Sequence, residues 1–418
     1  GRFLSMHLSS KSKPSFTATT CRFLLLFCLL NLGTAKHLYA EKLADLNPFI
    51  GDRDAILVAD PQGRIVFSKN ADLQLVPAST LKIFTALVAL HYLGPDYRFV
   101  TEFYQDHHSN LKVKGYGDPL LISEALAGIA LDLTSIPGIE FNHINDIVLD
   151  DSYFKTPIAI PGVNLSNEPY DAPIGALCVN FNTVNFKRSP NGIFVSAEPQ
   201  TPLLPFVQEK IDASQLDHGR ILLSSQRNEN TLYSGHLLLY FLKKEAIQFD
   251  GRIRTGKVQK DNDKLIFRYV SGFSLMQVIS KLFEYSNNFM ANQLLITCGA
   301  KAYGPPGTLE NGVQAASAYA KNILKIDKFR LVEGSGISRK NRMSAASFYK
   351  ILKVFAPYHF LMRKMGKAFY KTGTLRGINT RAGYIENKEG KLYSFVVLIN
   401  TPRKSPKPIM DILLRNLD

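Results

Sequence analysis

The sequence lacks the marks of several broad functional classes. Its 418 residues hold no phosphate-binding loop, no internal repeat and no nucleic-acid-binding motif, so nucleotide-driven, solenoid and nucleic-acid functions have no support. Nine histidines are scattered along the chain, and the adjacent pair His107 and His108 has no further ligand at metal spacing. Neither a metal nor a cofactor is therefore expected. Cysteine is scarce, with four in all, which excludes a small disulfide-stapled scaffold. The apolar run Phe23 to Leu32 is too short for a bilayer, whose crossing takes about 20 residues.

That short run has another reading. Lys11, Lys13 and Arg22 precede it and Gly33-Thr34-Ala35 follows, the order of basic, apolar and small-residue regions in an export signal. Residues 1–40 read as a signal peptide, cleaved after 35 or after 40, and the protein as exported or periplasmic. Only Cys178 and Cys298 remain beyond it; in an oxidising compartment they form one disulfide or stay as two buried thiols. Acids are outnumbered 35 to 50, for a net charge of +15. Four bases and no acid fall in positions 1–35, which leaves +11 for the rest. This excess suits an anionic polymer or loose association with a membrane surface. An apolar content of 45% supports the cores of two or three domains.

Against these absences stand three short motifs in a fixed order: Ser79-Thr80-Leu81-Lys82, Ser286-Asn287-Asn288 and Lys371-Thr372-Gly373-Thr374. None is informative alone, since Ser-x-x-Lys also occurs at Ser10, Ser152 and Ser347. Their contexts carry the signal. A hairpin is read over Ile56 to Ala59 and Arg64 to Ser68, and the apolar stripe Leu81, Phe84, Val88 and Tyr92, ended by Gly94-Pro95, marks a helix that begins at Ser79. Unpaired N–H groups there favour a serine alkoxide and an oxyanion. Lys82 lies one turn on; packed among Leu81 and Phe84 it would lose hydration, which disfavours its charged form and makes it a base for Ser79.

The second motif falls in a break between helical patterns, Leu275 to Tyr285 and from Met290 onward. A hydroxyl and an amide two residues apart can face one cavity there, Ser286 as a proton relay and Asn288 as a two-ended partner for a peptide group. The third opens a three-stranded antiparallel meander with Thr380 to Ile385 and Leu392 to Asn400. Gly373 would admit an extended peptide to the strand edge, with Lys371 and Thr372 binding a carboxylate.

With Gly117-Asp118-Pro119, Leu149 to Phe154, Tyr170-Asp171-Ala172-Pro173 and Glu333 to Arg339, the chain resembles the class C low-molecular-mass penicillin-binding proteins. These are the D-alanyl-D-alanine carboxypeptidase/endopeptidase family of the bacterial cell wall, and the resemblance runs from about Leu46 to the C-terminus. It implies an α/β (α+β) fold of the penicillin-recognising transpeptidase and β-lactamase type, an antiparallel sheet flanked by helices. Residues 41–97 and 271–418 would form the catalytic domain and 98–270 a large β-rich insertion, with strand-like runs at Ile147 to Leu149, Gly192 to Ala197, Gly219 to Ser224 and Gly235 to Phe241.

The resemblance also implies roles. Ser79 is the nucleophile, Lys82 its base, and Ser286 with Lys371 the proton relay to the leaving amine. Asn288, Thr372, Gly373 and Thr374 hold the peptide, the last with Ser79 supplying oxyanion-hole N–H groups. Asp150, or Asp151 with a shift of one, and Arg339 would contact the free end of the substrate's diamino acid. Partners are peptidoglycan stem peptides, with β-lactams as covalent inhibitors. Carboxypeptidase and endopeptidase action use one site and stay open. Two alternatives are a serine β-lactamase, for which no Glu-x-x-Leu-Asn stretch is found, and a catalytically silent cell-wall binding protein, which intact motifs argue against.

Overall fold

A computed structural model describes residues 41–139 and 141–417; the signal-peptide reading lies outside the described residues. The central sheet has six strands, all antiparallel, in the order 364–365, 368–375, 378–386, 392–399, 54–59, 65–69. An early and a late stretch of the chain meet inside it, where Asp54–Ala59 pairs with Leu392–Ile399 as its fifth and fourth strands. Asp54–Ala59 is buried at every position, because both faces of the sheet are covered. Alternate residues Ala55, Leu57 and Ala59 join a core with helices Leu81–Leu93, Leu275–Tyr285, Asn288–Tyr303 and Ala345–Phe355. Ile56 and Val58 turn to the other face, against Ile409, Met410, Ile412 and Leu413 of the C-terminal helix Lys407–Asn416. That amphipathic helix therefore packs on the sheet.

Between residues 98 and 270 the chain builds a second core. Its five-stranded mixed sheet, ordered 253–255, 147–150, 111–115, 100–105, 264–270, carries helices Ser123–Thr134 and Arg227–Lys244. A three-stranded sheet runs 194–196, 183–188, 218–222.

One strand expectation is corrected: Gly235 to Phe241 lies inside the helix Arg227–Lys244. Its apolar run is long because most of the helix circumference is covered. Between Asn230 and Leu242 only Leu232, His236 and Tyr240, four residues apart, lose full burial, a period no strand produces. Gly235 allows this helix to lie close against the sheet, since a methyl there would stand 2.7 Å from both Ile253 Cγ2 and Leu149 Cδ1.

The second core docks on the helix that carries the second motif. Gln293 of that helix donates to the carbonyls of Gly117 and Gly175 and accepts from the Gly175 N–H. Cys178 and Cys298 are buried free thiols, and burial pushes the Cys178 thiol up to about 12. Of the two cysteine states left open by the sequence, the thiols are the one present.

Candidate active site

Ser79 sits in a short 3-10 turn, Ala78–Thr80, that leads directly into helix Leu81–Leu93. The first turn of a helix leaves its N–H groups without backbone acceptors. The turn is held under constraint. Ala78 has φ of +51°, a left-handed conformation that costs a residue with a side chain of the order of 1 kcal/mol or more. Three contacts secure the segment before it: Thr380 Oγ1 donates to Pro77 O at 2.7 Å, and the Asn400 amide both accepts from Val76 N and donates to Val76 O. Ser79 is thus presented from a turn clamped to the end of the sheet.

Lys82 is fully buried. Its Nζ lies 2.9 Å from Ser79 Oγ, 2.7 Å from Asn288 Oδ1 and 3.0 Å from the carbonyl of Ser335. Three acceptors match the three donors of an ammonium; loss of one proton leaves a lone pair that can face the serine hydroxyl. Burial, with a smaller contribution from the nearby Lys371 charge, holds Lys82 well below its ordinary value of 10.5, while Glu333 acts in the opposite direction. The surroundings responsible are largely polar and tertiary, beyond the sequence neighbours Leu81 and Phe84.

The second motif occupies the joint between two helices. Ser286 adopts φ of +49° and ends Leu275–Tyr285, and Asn287 caps the next helix by accepting from Met290 N at 2.8 Å. Cap duty falls to Asn287, which frees Asn288 to face Lys82. Lys371 Nζ donates to Ser286 Oγ at 2.9 Å and to Thr372 O at 2.7 Å. Burial first, and then the Arg381 charge, pulls Lys371 down to about 8. Two buried amines therefore approach the same serine-lined space, one from the helix Leu81–Leu93 and one from the strand Ala368–Leu375.

Gly373 faces the turn that carries Ser79. A methyl group on it would stand 2.8 Å from Ser79 N and 2.3 Å from Thr380 Oγ1, so the strand edge and the Ser79 amide share one cavity with room only for hydrogen. Thr372 and Thr374 flank it on the strand, which pairs with Ile378–Glu386 in regular antiparallel register. Arg339 is exposed and its guanidinium donates to the carbonyl of Arg376, 2.6 Å away, at the turn that ends the motif strand.

Asp150 is placed differently from the other candidates. It is buried within the second core, accepting from the backbone and hydroxyl of Ser152 and from Val258 N. Its neighbour Asp151 pairs with Arg227 and Thr231. Neither carboxylate has a bond to the Ser79 cluster among the described residues.

Glu333, by contrast, was not singled out by type or spacing. It is buried, and its two oxygens accept from Asn292, Ser335, Gly336, Ser338 and Asn341. The signal available in the sequence was an acid heading a Gly-Ser-Gly turn, whose successive N–H groups need an acceptor.

The fold is that of the penicillin-binding proteins, a mixed α/β architecture. It aligns with the crystal structure of penicillin binding protein 4 (dacB) from Haemophilus influenzae at a TM-score of 0.71, with 21% identity, over 89% of this chain and 98% of that one. The profile of the D-Ala-D-Ala carboxypeptidase 3 (S13) family matches residues 37–232, 220–362 and 362–417, and the chain belongs to that family. It is 24% identical to a D-alanyl-D-alanine carboxypeptidase of Actinomadura sp. (strain R39), over 85% of this chain and 78% of the relative. It is 22% identical to the D-alanyl-D-alanine carboxypeptidase DacB of Haemophilus influenzae, over 93% of each.

Proposed function

We propose that this protein is an exported serine peptidase that cleaves the D-alanyl-D-alanine end, or the equivalent crosslink, of peptidoglycan stem peptides. The observation that carries the reading is the buried Lys82 amine, 2.9 Å from Ser79 Oγ and depressed by burial, which is what a general base for a serine requires. Ser79 Oγ attacks the carbonyl carbon of the penultimate D-alanine and gives its proton to Lys82. The developing oxyanion is met by the N–H groups of Ser79 and Thr374. Lys371 and Ser286 relay that proton from Lys82 to the departing amine, which restores the free Lys82 amine, and Asn288 holds the peptide on the side facing Lys82. Thr372 and Lys371 hold the terminal carboxylate, and Arg339, on a separate loop bonded to Arg376 at the turn after that strand, meets the stem. Water then hydrolyses the acyl ester, with Lys82 as base again, and regenerates Ser79.

A β-lactam would open on Ser79 by the same attack, with the lactam nitrogen as the tethered leaving group. Retention of that leaving group, and the lack of a Glu-x-x-Leu-Asn water-positioning stretch, favour slow release over lactamase turnover. No described helix is long and apolar enough to cross a membrane. The test is intact-mass spectrometry of the mature protein with penicillin, beside Ser79→Ala. A single adduct on wild type and none on the variant is expected; no adduct on folded wild type would bring the silent binding protein to the fore.

A further inference from the structure

Around Lys82 the charges do not balance within the three motifs. Lys82 and Lys371 are both buried, and the motifs contain no acid. The charged groups facing the pair are Glu333, on the loop packed against Lys82, and Arg381, on the strand beside Lys371. Glu333 is therefore the acid that acts on Lys82.

Its connection to Lys82 is short and specific. Glu333 Oε2 accepts from Ser335 N at 2.6 Å and Ser335 Oγ at 2.7 Å, and the Ser335 carbonyl receives Lys82 Nζ at 3.0 Å. Oε1 accepts from Gly336 N at 2.7 Å and from Ser338 N at 3.3 Å. Gly336 must be glycine where it stands: with φ of +89°, a methyl on it would collide with Ala78 O at 1.9 Å. From the other side, Asn292 donates to Glu333 Oε2 and accepts from Gly334 N. Asn292 lies one turn beyond Asn288 on the same helix, so one carboxylate sets the loop behind Lys82, the turn before Ser79 and the helix that presents Asn288.

We infer that Glu333 is a positioning residue and the buried counter-charge of the Lys82 and Ser79 pair: it fixes the Gly334–Ser338 loop against Lys82 and governs how readily Lys82 releases its proton. A buried cation close to a second cation is strongly disfavoured, and Glu333 lets Lys82 remain inside the protein. Its field also keeps Lys82 from becoming too weak a base to deprotonate serine. The inference rests on the reading of Lys82 as base.

The test is the pH profile of acylation by a fluorescent penicillin, recorded for wild type, Glu333→Gln and Glu333→Asp. On the acid limb the rate follows the fraction of free Lys82 amine. Removing the negative charge makes that amine easier to deprotonate, so the limb of Glu333→Gln should move to lower pH by about one unit, a roughly tenfold gain in relative rate below the limb. Glu333→Asp, which keeps the charge, should hold the wild-type limb position while its plateau falls. A purely structural role would lower the plateau of Glu333→Gln without moving its limb, and that result, in folded protein, would overturn the inference.

If Glu333→Gln does not fold, the double variant Lys82→Met/Glu333→Gln decides by circular dichroism. Restored folding shows that the loss lay in an uncompensated Lys82 cation. Continued failure shows that the lost acceptors alone were responsible and ends the counter-charge argument. Absence of acylation in wild type would be a failure of the proposed function instead, so the two outcomes remain distinct.

Discussion

Replacing Gly373 with alanine puts a methyl group where the motif strand meets the Ser79 turn. On the present backbone that methyl would lie 2.3 Å from Thr380 Oγ1, 2.8 Å from Ser79 N and 3.1 Å from Ala78 Cβ. Carbon contacts are comfortable near ~3.5 Å. Either the strand retreats by roughly 1 Å, or the methyl stays and covers the Ser79 N–H. Thr380 cannot swing aside at no cost, because its hydroxyl holds Pro77 O in the clamp that positions Ser79. A misplacement of about 1 Å costs on the order of 10²-fold in rate, and loss of one oxyanion donor costs about 10²- to 10³-fold. These are alternatives, so the acylation rate constant should fall by about 10²- to 10³-fold, roughly 3–4 kcal/mol of barrier. The assay is the time course of fluorescent-penicillin labelling, with thermal melting to establish that the variant is folded. Gly272→Ala, where a methyl meets nothing within 4 Å, is the control and should change neither reading. A folded Gly373→Ala protein labelled within threefold of the wild-type rate would refute the placement of the oxyanion between Ser79 and this strand.

Three further outcomes follow from the same geometry. Asp118 is buried with Oδ2 unpartnered, and burial raises it from its ordinary 3.8 to about 7. The raised folded-state value means stability is fully present below the unfolded value of 3.8 and is lost progressively as pH rises to about 7, at most roughly 4 kcal/mol; the melting temperature of Asp118→Asn should gain on that of wild type between pH 5 and pH 8.5, and parallel curves would count against it. Lys371, at about 8 through burial and the Arg381 charge, should give acylation an alkaline limb; Arg381→Gln removes a repelling cation and should move that limb to higher pH, whereas an unmoved limb would show that Lys371 does not govern it. Asn287→Ala removes the cap on Met290 N and should cost about 1 kcal/mol in urea unfolding, while Asn287→Asp, which keeps an acceptor at a helix N-terminus, should cost nothing measurable.

Local sequence was enough for whatever depends on near neighbours. The helix Leu275–Tyr285 was legible to the residue from its apolar stripe, and the three-stranded meander from alternation and its turns. The motif order was legible with them, and with it the fold class. Periodicity failed at Gly235 to Phe241 because a helix buried on most sides shows no polar face, and which sides are covered is decided by Leu149 and Ile253, far away in the chain.

The same division runs through the candidate site. The sequence by itself determined that Ser79 would open a helix with Lys82 one turn on, since three residues of spacing dictate that. It could not determine that Lys82 would be buried against Asn288, 206 positions away, and Ser335, 253 positions away. Nor could it separate Asp150 from Glu333. Each follows a short apolar run, Ile147 to Leu149 and Leu331-Val332, and only packing directs one into the second core and the other behind Lys82. A charge acts through space over distances that the folded chain sets, so the residues named by motif were legible in order, while the field they work in was decided by the tertiary structure.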